Sequence, residues 1–373
     1  ILNFLAEFLI IEYNYFNIFC KKPLRAENRR LKMAKVVTFG ELMLRIQPAD
    51  YYRFVQVDSM TTTFGGGEAN VSVSLANYGN ESYFVTKLPT HEIGQAAVNS
   101  LRKYGVHTEY IVRGGPRVGI YYNEKGASQR GSKCVYDRAG SSIQLAKPEE
   151  FNWKEILKDA KWFHITGITP ALGPNMVTAC IEACKVAREL GVTTSCDLNY
   201  RGKLWTKDEA RKAMTEICKY IDVCISNEDD ANDVFGIKSE GTDTTKGTLN
   251  NDGYVSVARQ LKEKFGFKKV AITLRSSINA NRNDWQALLY VDDKDYAFSK
   301  KYEMWIVDRV GGGDSFGGGL IHSQLKGMNT QDSINWAVAA SCLKHSIIGD
   351  YNMVSEDEVN KLAGGDGSGR IQR

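Results

Sequence analysis

From residue 33 onward, short runs of β-branched and aromatic residues alternate with longer stretches in which apolar residues recur at helical spacing. The short runs predict strands over 36–40, 84–86, 162–166, 193–197, 222–226 and 269–274. The longer ones predict helices over 71–78, 94–103, 175–190, 208–220, 254–265, 316–325 and 331–346. Alternation of this kind predicts an α/β fold, a mainly parallel sheet with helices on both faces. Two regions break the rhythm. Runs 42–46 with 52–57, and 118–122 with 133–136, read as strands without intervening helices. Such antiparallel pieces are expected to form a small second sheet, a lid over the ligand end of the first.

No internal repeat or low-complexity linker divides the chain, and the glycine-rich stretch 364–369 reads as a loose C-terminal end. The expected organisation is an extension over 1–32, one domain over 33–363, and a tail over 364–373. The lid would come from about 42–64 and 108–140 of the domain. The extension is apolar and aromatic but interrupted by Glu7 and Glu12, which makes a poor membrane span. It lacks the basic start and small-residue cleavage site of a signal peptide. Met33 stands immediately before the first strand-like run, so translation is expected to start there, with the preceding segment an upstream artefact.

Composition narrows the class. Charged residues make up 25% and hydrophobic ones 43%, ordinary values for a globular protein. The net charge is +4, but 1–32 carry six Lys/Arg against three Asp/Glu, so the body is close to neutral. No basic stripe points to nucleic acid, and a small-molecule partner is expected. The eight cysteines form no Cys-x-x-Cys pair and mostly fall in apolar runs. They read as buried free thiols of a reducing, cytoplasmic compartment. The five histidines show no metal-ligand spacing.

Candidate chemistry concentrates in 308–316. Gly311, Gly312 and Gly313 let the backbone approach a ligand and turn its N–H groups toward an anion, with a predicted helix behind them. Asp314 stands where that helix would begin, and a carboxylate beside an anion cradle suits phosphoryl transfer to a hydroxyl. Polar residues also gather at strand ends, where ligands of open α/β sheets bind. These are Asp197, Asn199 and Arg201, then Asn227 to Asp230, then Thr273 and Arg275. A second glycine segment, Gly65-Gly66-Gly67 followed by Asn70, leaves room for substrate hydroxyls to meet backbone groups. Neither glycine cluster fits a dinucleotide fingerprint or a P-loop.

These residues resemble the ribokinase-like (PfkB) family of carbohydrate kinases from Met33 to the C-terminus. Asp308-Arg-Val-Gly-Gly-Gly-Asp314 resembles its C-terminal signature, and Gly65-Gly66-Gly67 with Asn70 its N-terminal motif. Shorter motifs are most similar to its 2-keto-3-deoxygluconate kinase branch. They are Gly167-Ile-Thr-Pro-Ala-Leu172, Asp197-Leu-Asn-Tyr-Arg201 followed by Leu204-Trp205, Tyr136-Asp-Arg138-Ala-Gly-Ser, and Gly369-Arg-Ile-Gln-Arg373.

The resemblance implies a ribokinase-like three-layer α/β/α sandwich with a small β-sheet lid. It implies ATP-dependent phosphorylation of 2-keto-3-deoxygluconate at its 6-hydroxyl, with Mg²⁺. Asp314 would be the catalytic base, and Gly311, Gly312 and Gly313 would stabilise the transferred group. Gly66, Gly67, Asn70, Tyr121, Tyr136 and Asp350 would hold the sugar, while Arg138 and Arg201 suit its carboxylate by bidentate pairing. Asn199, Asn227, Thr273 and Arg275 would lie on the nucleotide side, and Asp230 would help organise the metal, in part through water. Lid strands supply homo-oligomer contacts in this family, and the same is expected here.

Three departures stand out. The family's Lys-x-Gly-x-x-Gly nucleotide loop is replaced by Thr273-Leu274-Arg275-Ser276-Ser277, Gly312 replaces the usual Ala, and Arg309 the usual Thr. A fructokinase or other sugar kinase of the family, and a catalytically silent sugar-binding regulator, remain as alternative readings.

Overall fold

The computed structural model describes residues 33–238 and 251–370. The proposed extension over 1–32 lies outside these residues. Fifteen strands occur among them, numbered here in chain order. The first eight are β1 (Lys35–Phe39), β2 (Met43–Gln47), β3 (Thr61–Gly65), β4 (Glu81–Val85), β5 (Lys87–Leu88), β6 (Val112–Arg113), β7 (Gly119–Glu124) and β8 (Lys133–Asp137). The others are β9 (Trp162–Thr166), β10 (Thr193–Asp197), β11 (Val223–Asn227), β12 (Lys269–Ser277), β13 (Arg282–Asp292), β14 (Asp295–Phe298) and β15 (Tyr302–Trp305).

The main sheet runs β14-β13-β12-β11-β10-β9-β1-β4, with β15 also paired to β13. From β4 to β12 every pairing is parallel, and β13, β14 and β15 extend the edge antiparallel. Parallel strands buried on both faces need near-continuous burial rather than alternation. Strand β9, Trp-Phe-His-Ile-Thr, is buried at all five positions. Helices Pro174–Glu189, Lys207–Cys218 and Asn251–Phe265 cover one face, where their inward residues join one large apolar core. Helices Gly67–Asn77, Gly312–Leu325 and Thr330–Lys344 cover the other. The three-layer sandwich is the architecture expected from the sequence.

Helix starts carry their own signals. Thr206 and Ser355 each close a capping box, with Glu209 and Glu358 respectively. Two helices begin four residues earlier than periodicity predicts. Gly67–Asn77 and Gly312–Leu325 wind their glycine segments into the first helical turn, with Gly66 and Gly311 as N-caps. This difference has a functional consequence, because it puts free N–H groups of a helix end where a loop was expected.

The second sheet exists, in the order β3-β2-β7-β8. Its composition corrects the sequence reading. Residues 52–57 are not a strand: a short 3-10 turn, Phe54–Gln56, sits there, and β2 pairs instead with β3. Each hairpin is antiparallel as expected, but the two are joined by a parallel β2–β7 pairing. No helix among the described residues is long and apolar enough to cross a membrane.

Candidate active site

A cleft of about 390 Å³ opens beyond the carboxyl ends of β9 to β12, with the small sheet on its opposite wall. All the predicted site residues line it: Tyr121, Tyr136 and Asp350 on the small-sheet side, Asn199, Asn227, Asp230 and Thr273 at the strand ends, and Asn70 at the start of the Gly67–Asn77 helix. Gly66, Gly67 and the Gly311–Gly313 turn form its floor, beside Arg138, Arg201, Arg275 and Asp314. One connected surface therefore brings together residues spread over 284 positions of sequence, from Gly66 to Asp350.

Asp314 sits in the first turn of Gly312–Leu325. Its Oδ2 accepts a hydrogen bond from Asn70 Nδ2 at 2.7 Å, which links it to the first turn of the Gly67–Asn77 helix. Its Oδ1 lies on the side of Gly67, 3.6 Å from where a Cβ at that position would stand. Burial raises its pKa from 3.8 to about 6, with Glu68 and Asp350 adding to the rise while Asn70 and Arg201 oppose it. Gly311 has φ +84°, and a Cβ there would lie 2.0 Å from the Asp350 carbonyl oxygen, so both conformation and space demand glycine. Gly313 meets nothing within 4 Å and is exposed to the cleft. The Gly312 N–H donates to the Arg309 carbonyl at 3.2 Å, so the open N–H groups of this helix N-terminus are those of Gly311 and Gly313, an arrangement that suits phosphate.

Behind this turn lies a buried ionic network that sequence reasoning missed. Arg45 of β2 is 0% exposed and forks between Asp350 Oδ1 at 2.6 Å and Asp308 Oδ2 at 2.7 Å. The Tyr121 hydroxyl donates to Asp350, and Gly349 N–H donates to Asp308 at 3.0 Å. Burial and the Asp350 charge hold the Tyr121 hydroxyl protonated, its pKa well above 10. Asp350 is consequently engaged by protein partners on both oxygens. Arg45 left no signal because it stands between Leu44 and Ile46, where an alternating polar residue normally faces water.

The two arginines expected to share one task differ in surroundings. Arg138 lies over the Tyr136 ring at 4.7 Å and pairs with buried Glu41 at 3.4 Å. Arg201 donates to the Tyr200 carbonyl at 3.0 Å and has no carboxylate within ion-pair distance among the described residues. Glu68, also missed, is fully buried and accepts from Thr166 and Thr169, tying the Gly67–Asn77 helix to the end of β9.

On the opposite side, Asn227 caps the Glu228–Phe235 helix, its Oδ1 accepting from the N–H groups of Asp229 and Asp230. Asp230 accepts from Tyr200 N–H at 3.1 Å and Asn227 Nδ2 at 2.9 Å, and burial raises its pKa to about 6. Asp197 is raised well above 3.8 by burial and by the charges of Asp230 and Asp314. Asn199 takes φ +38°, which asparagine tolerates better than most residues. No group of three or more candidate metal ligands occurs among the described residues. The donor set fits a Mg²⁺ that keeps most of its waters and takes its remaining ligands from phosphates, not an all-protein cage.

In place of the glycine-rich nucleotide loop, β12 runs directly into β13 through a tight turn at 278–281. That turn meets the small sheet across the cleft mouth. Ala280 N–H donates to the Ser128 carbonyl at 2.8 Å, Ser128 N–H to Asn281 Oδ1 at 2.7 Å, and Asn281 Nδ2 to Tyr51 Oη at 3.3 Å. Arg309 also lines the cleft here, its guanidinium pKa lowered by burial and by Arg275 nearby.

The model of the pfkB family carbohydrate kinases matches residues 33–357. The chain belongs to this family. As a pfkB kinase it is a phosphotransferase acting on a carbohydrate, with the ribokinase-like fold described above. It is 52% identical to the crystal structure of 2-dehydro-3-deoxygluconokinase from Thermotoga maritima, with a TM-score of 0.86, covering 89% of this chain and 100% of that one. A PfkB family carbohydrate kinase from Listeria grayi superposes with a TM-score of 0.82 at 32% identity, over 88% and 99% of the two chains. Among curated relatives, 2-dehydro-3-deoxygalactonokinase of Haloferax volcanii is 31% identical over 334 residues, 89% of this chain and 98% of the relative.

Proposed function

We propose that this kinase transfers the γ-phosphoryl group of ATP to the 6-hydroxyl of 2-keto-3-deoxygluconate, with Asp314 as general base. The observation that carries the reading is the position of Asp314. Its carboxylate is held by Asn70 at the mouth of two helix N-termini, with the open Gly311–Gly313 turn beside it. A carboxylate with a pKa near 6 is ionised at neutral pH yet basic enough to take a proton from the attacking hydroxyl. Backbone N–H groups of the turn would stabilise charge on the migrating phosphoryl group, an effect on the order of 3 kcal/mol per donor elsewhere.

An acid sugar is favoured over a neutral one by Arg201, a cleft guanidinium with no carboxylate at ion-pair distance, its charge reaching Asp197, Asp230 and Asp314 only from further off. The names of the Thermotoga and Haloferax relatives point to the same substrate class. Asn199, Asn227, Thr273 and Arg275 would face the nucleotide, while Gly66, Gly67, Asn70, Tyr121 and Tyr136 would surround the sugar. Asp230 would hold a hydrated Mg²⁺, which supplies neutralisation of phosphate charge when bound. The small sheet would act as a lid that excludes water as a competing acceptor. We place the enzyme in the cytoplasm, a setting that suits the seven free thiols of the described residues.

An ADP-release assay with 2-keto-3-deoxygluconate, 2-keto-3-deoxygalactonate, fructose, ribose and gluconate tests the assignment. Turnover should be highest with the two keto-deoxy acids; preference for fructose or ribose would overturn it. The small sheet would also join two copies, since Val135, 55% exposed, pairs with half-buried Tyr122 and that in turn with half-buried Ile46, and Val55 of the Phe54–Gln56 turn is 89% exposed. Light scattering at micromolar concentration should give an oligomer, and a monomer would refute the contact.

A further inference from the structure

Lys344 is a lysine with no part in the chemistry proposed above, yet it is 0% exposed. Lysine is almost never fully buried unless something holds its charge. Its Nζ donates to the Asp308 carbonyl at 3.2 Å and to the Ile347 carbonyl at 3.5 Å. Its Cε lies 3.3 Å from where a Cβ on Gly311 would stand, so the side chain passes directly behind the anion turn. Around it are Asp308 and Asp350, 2% and 3% exposed, and Arg45 at 0%. Two cations and two carboxylates thus form one buried group whose charges sum to zero when all are ionised.

Resting on the kinase reading, we propose that Lys344 is a positioning residue for phosphate binding, an internal cation that fixes the Gly311–Gly313 turn and cancels the carboxylate charge behind it. The turn binds anions through neutral N–H groups at a helix end, a weak positive field. A net negative charge a few ångströms behind it opposes that field. With Lys344 protonated the backing is neutral; without its proton, Arg45 alone faces Asp308 and Asp350. The ammonium also ties the carbonyl of Asp308, three residues before Gly311, to that of Ile347, three before Asp350. Its removal loosens both ends of the segment that shapes the turn.

Charge state supplies a handle. Burial lowers the Lys344 pKa from 10.5 to about 8, with Asp308, Asp350 and Asp314 opposing the fall and Arg45 adding to it. The other groups facing this region stay fixed above neutral pH. His345, the C-cap of the same helix, is lowered to about 4 by burial. Tyr121 on β7 is held well above 10, and Cys134 and Tyr136 on β8 are raised above 9 and 10. Asp314 from the adjoining helix has already ionised. Lys344 is the group in this set that changes charge between pH 7 and 9.

The test is calorimetric ATP binding without sugar, for the wild-type chain and Lys344→Met, at pH 7.0 and 9.5. Wild type should lose roughly tenfold or more in affinity on going to pH 9.5. Lys344→Met should bind about as weakly as that at both pH values, while its near-UV circular dichroism stays native. Methylammonium added to Lys344→Ala should restore part of the affinity at pH 7.0. Equal ATP affinity of folded Lys344→Met and wild type at pH 7.0 would overturn the proposal. So would wild-type affinity unchanged at pH 9.5, a readout that stands even if the variants fail to fold. Wild type that binds ATP but phosphorylates no keto-deoxy acid would count against the substrate assignment and leave this result intact.

Discussion

The His345 imidazole fills the space in which a side chain at position 312 would begin: a Cβ there would lie 2.4 Å from its Cε1. Its Nδ1–H donates to the Ser341 carbonyl at 2.7 Å, and burial lowers the ring's pKa to about 4, so it stays neutral at physiological pH. The glycine at 312, a departure from the family's alanine, is thus matched by the residue beneath it. Gly312→Ala should overpack this contact and cost about 1–3 kcal/mol of stability. The double variant with His345→Ala should recover part of that loss. Thermal melts of the two single variants and the double would show the coupling, and additive losses would refute it.

Asp314→Asn should reduce kcat by about 10²–10⁴-fold, the range of a positioned general base. Stability should move the other way. The folded-state pKa, about 6, exceeds the unfolded 3.8, so the folded protein binds more protons between these values. The ionised carboxylate therefore lowers stability progressively as pH rises through that window, and fully above it. Asn removes this cost. The variant's Tm should exceed that of wild type at pH 7.5 and converge with it near pH 4, while wild-type kcat/KM falls as pH drops below about 6.

Arg201→Ala and Arg138→Ala should separate cleanly. Losing Arg201 should raise KM for an acid sugar by the equivalent of about 2–3 kcal/mol, with a smaller Tm loss than Arg138→Ala because its nearby carboxylates lie beyond ion-pair distance. Losing Arg138 leaves buried Glu41 without its ion-pair partner, a class of change that costs about 3–5 kcal/mol in stability. Melting curves and substrate titrations of both variants would decide. A Tm loss for Arg201→Ala equal to or larger than that for Arg138→Ala would contradict the division.

Arg45→Met should be the most damaging single change in the small sheet. It leaves Asp308 and Asp350 facing each other's charge with Lys344 alone, at a cost of about 3–5 kcal/mol. Denaturant unfolding should show a lower midpoint, and ATP affinity should fall with it because both carboxylates lie behind the Gly311–Gly313 turn proposed to hold phosphate.

Much of this was legible in the residues. Strands β1, β9, β10 and β11 announce themselves as compact β-branched runs between helical ones, and the glycine segments mark the floor of the cleft. The misses share a cause. Thr61–Gly65 is polar and glycine-ended, so nothing local marks β3; its partner β2 does, which only tertiary pairing reveals. Arg45, Lys344 and His345 sit where a strand or a helix end normally meets water, and sequence gives no sign that ions from distant segments await them. The β12–β13 hairpin hid because its polar residues serve a turn that reaches across the cleft.

That reach sets a limit on how the two walls move. Three hydrogen bonds among Ser128, Ala280, Asn281 and Tyr51 join the two walls directly. At roughly 1 kcal/mol net apiece, they make a latch worth about two tenfold factors. A latch of that size would leave the unlatched form at about the per cent level, a population that would admit both reactants while keeping the closed cleft the dominant state.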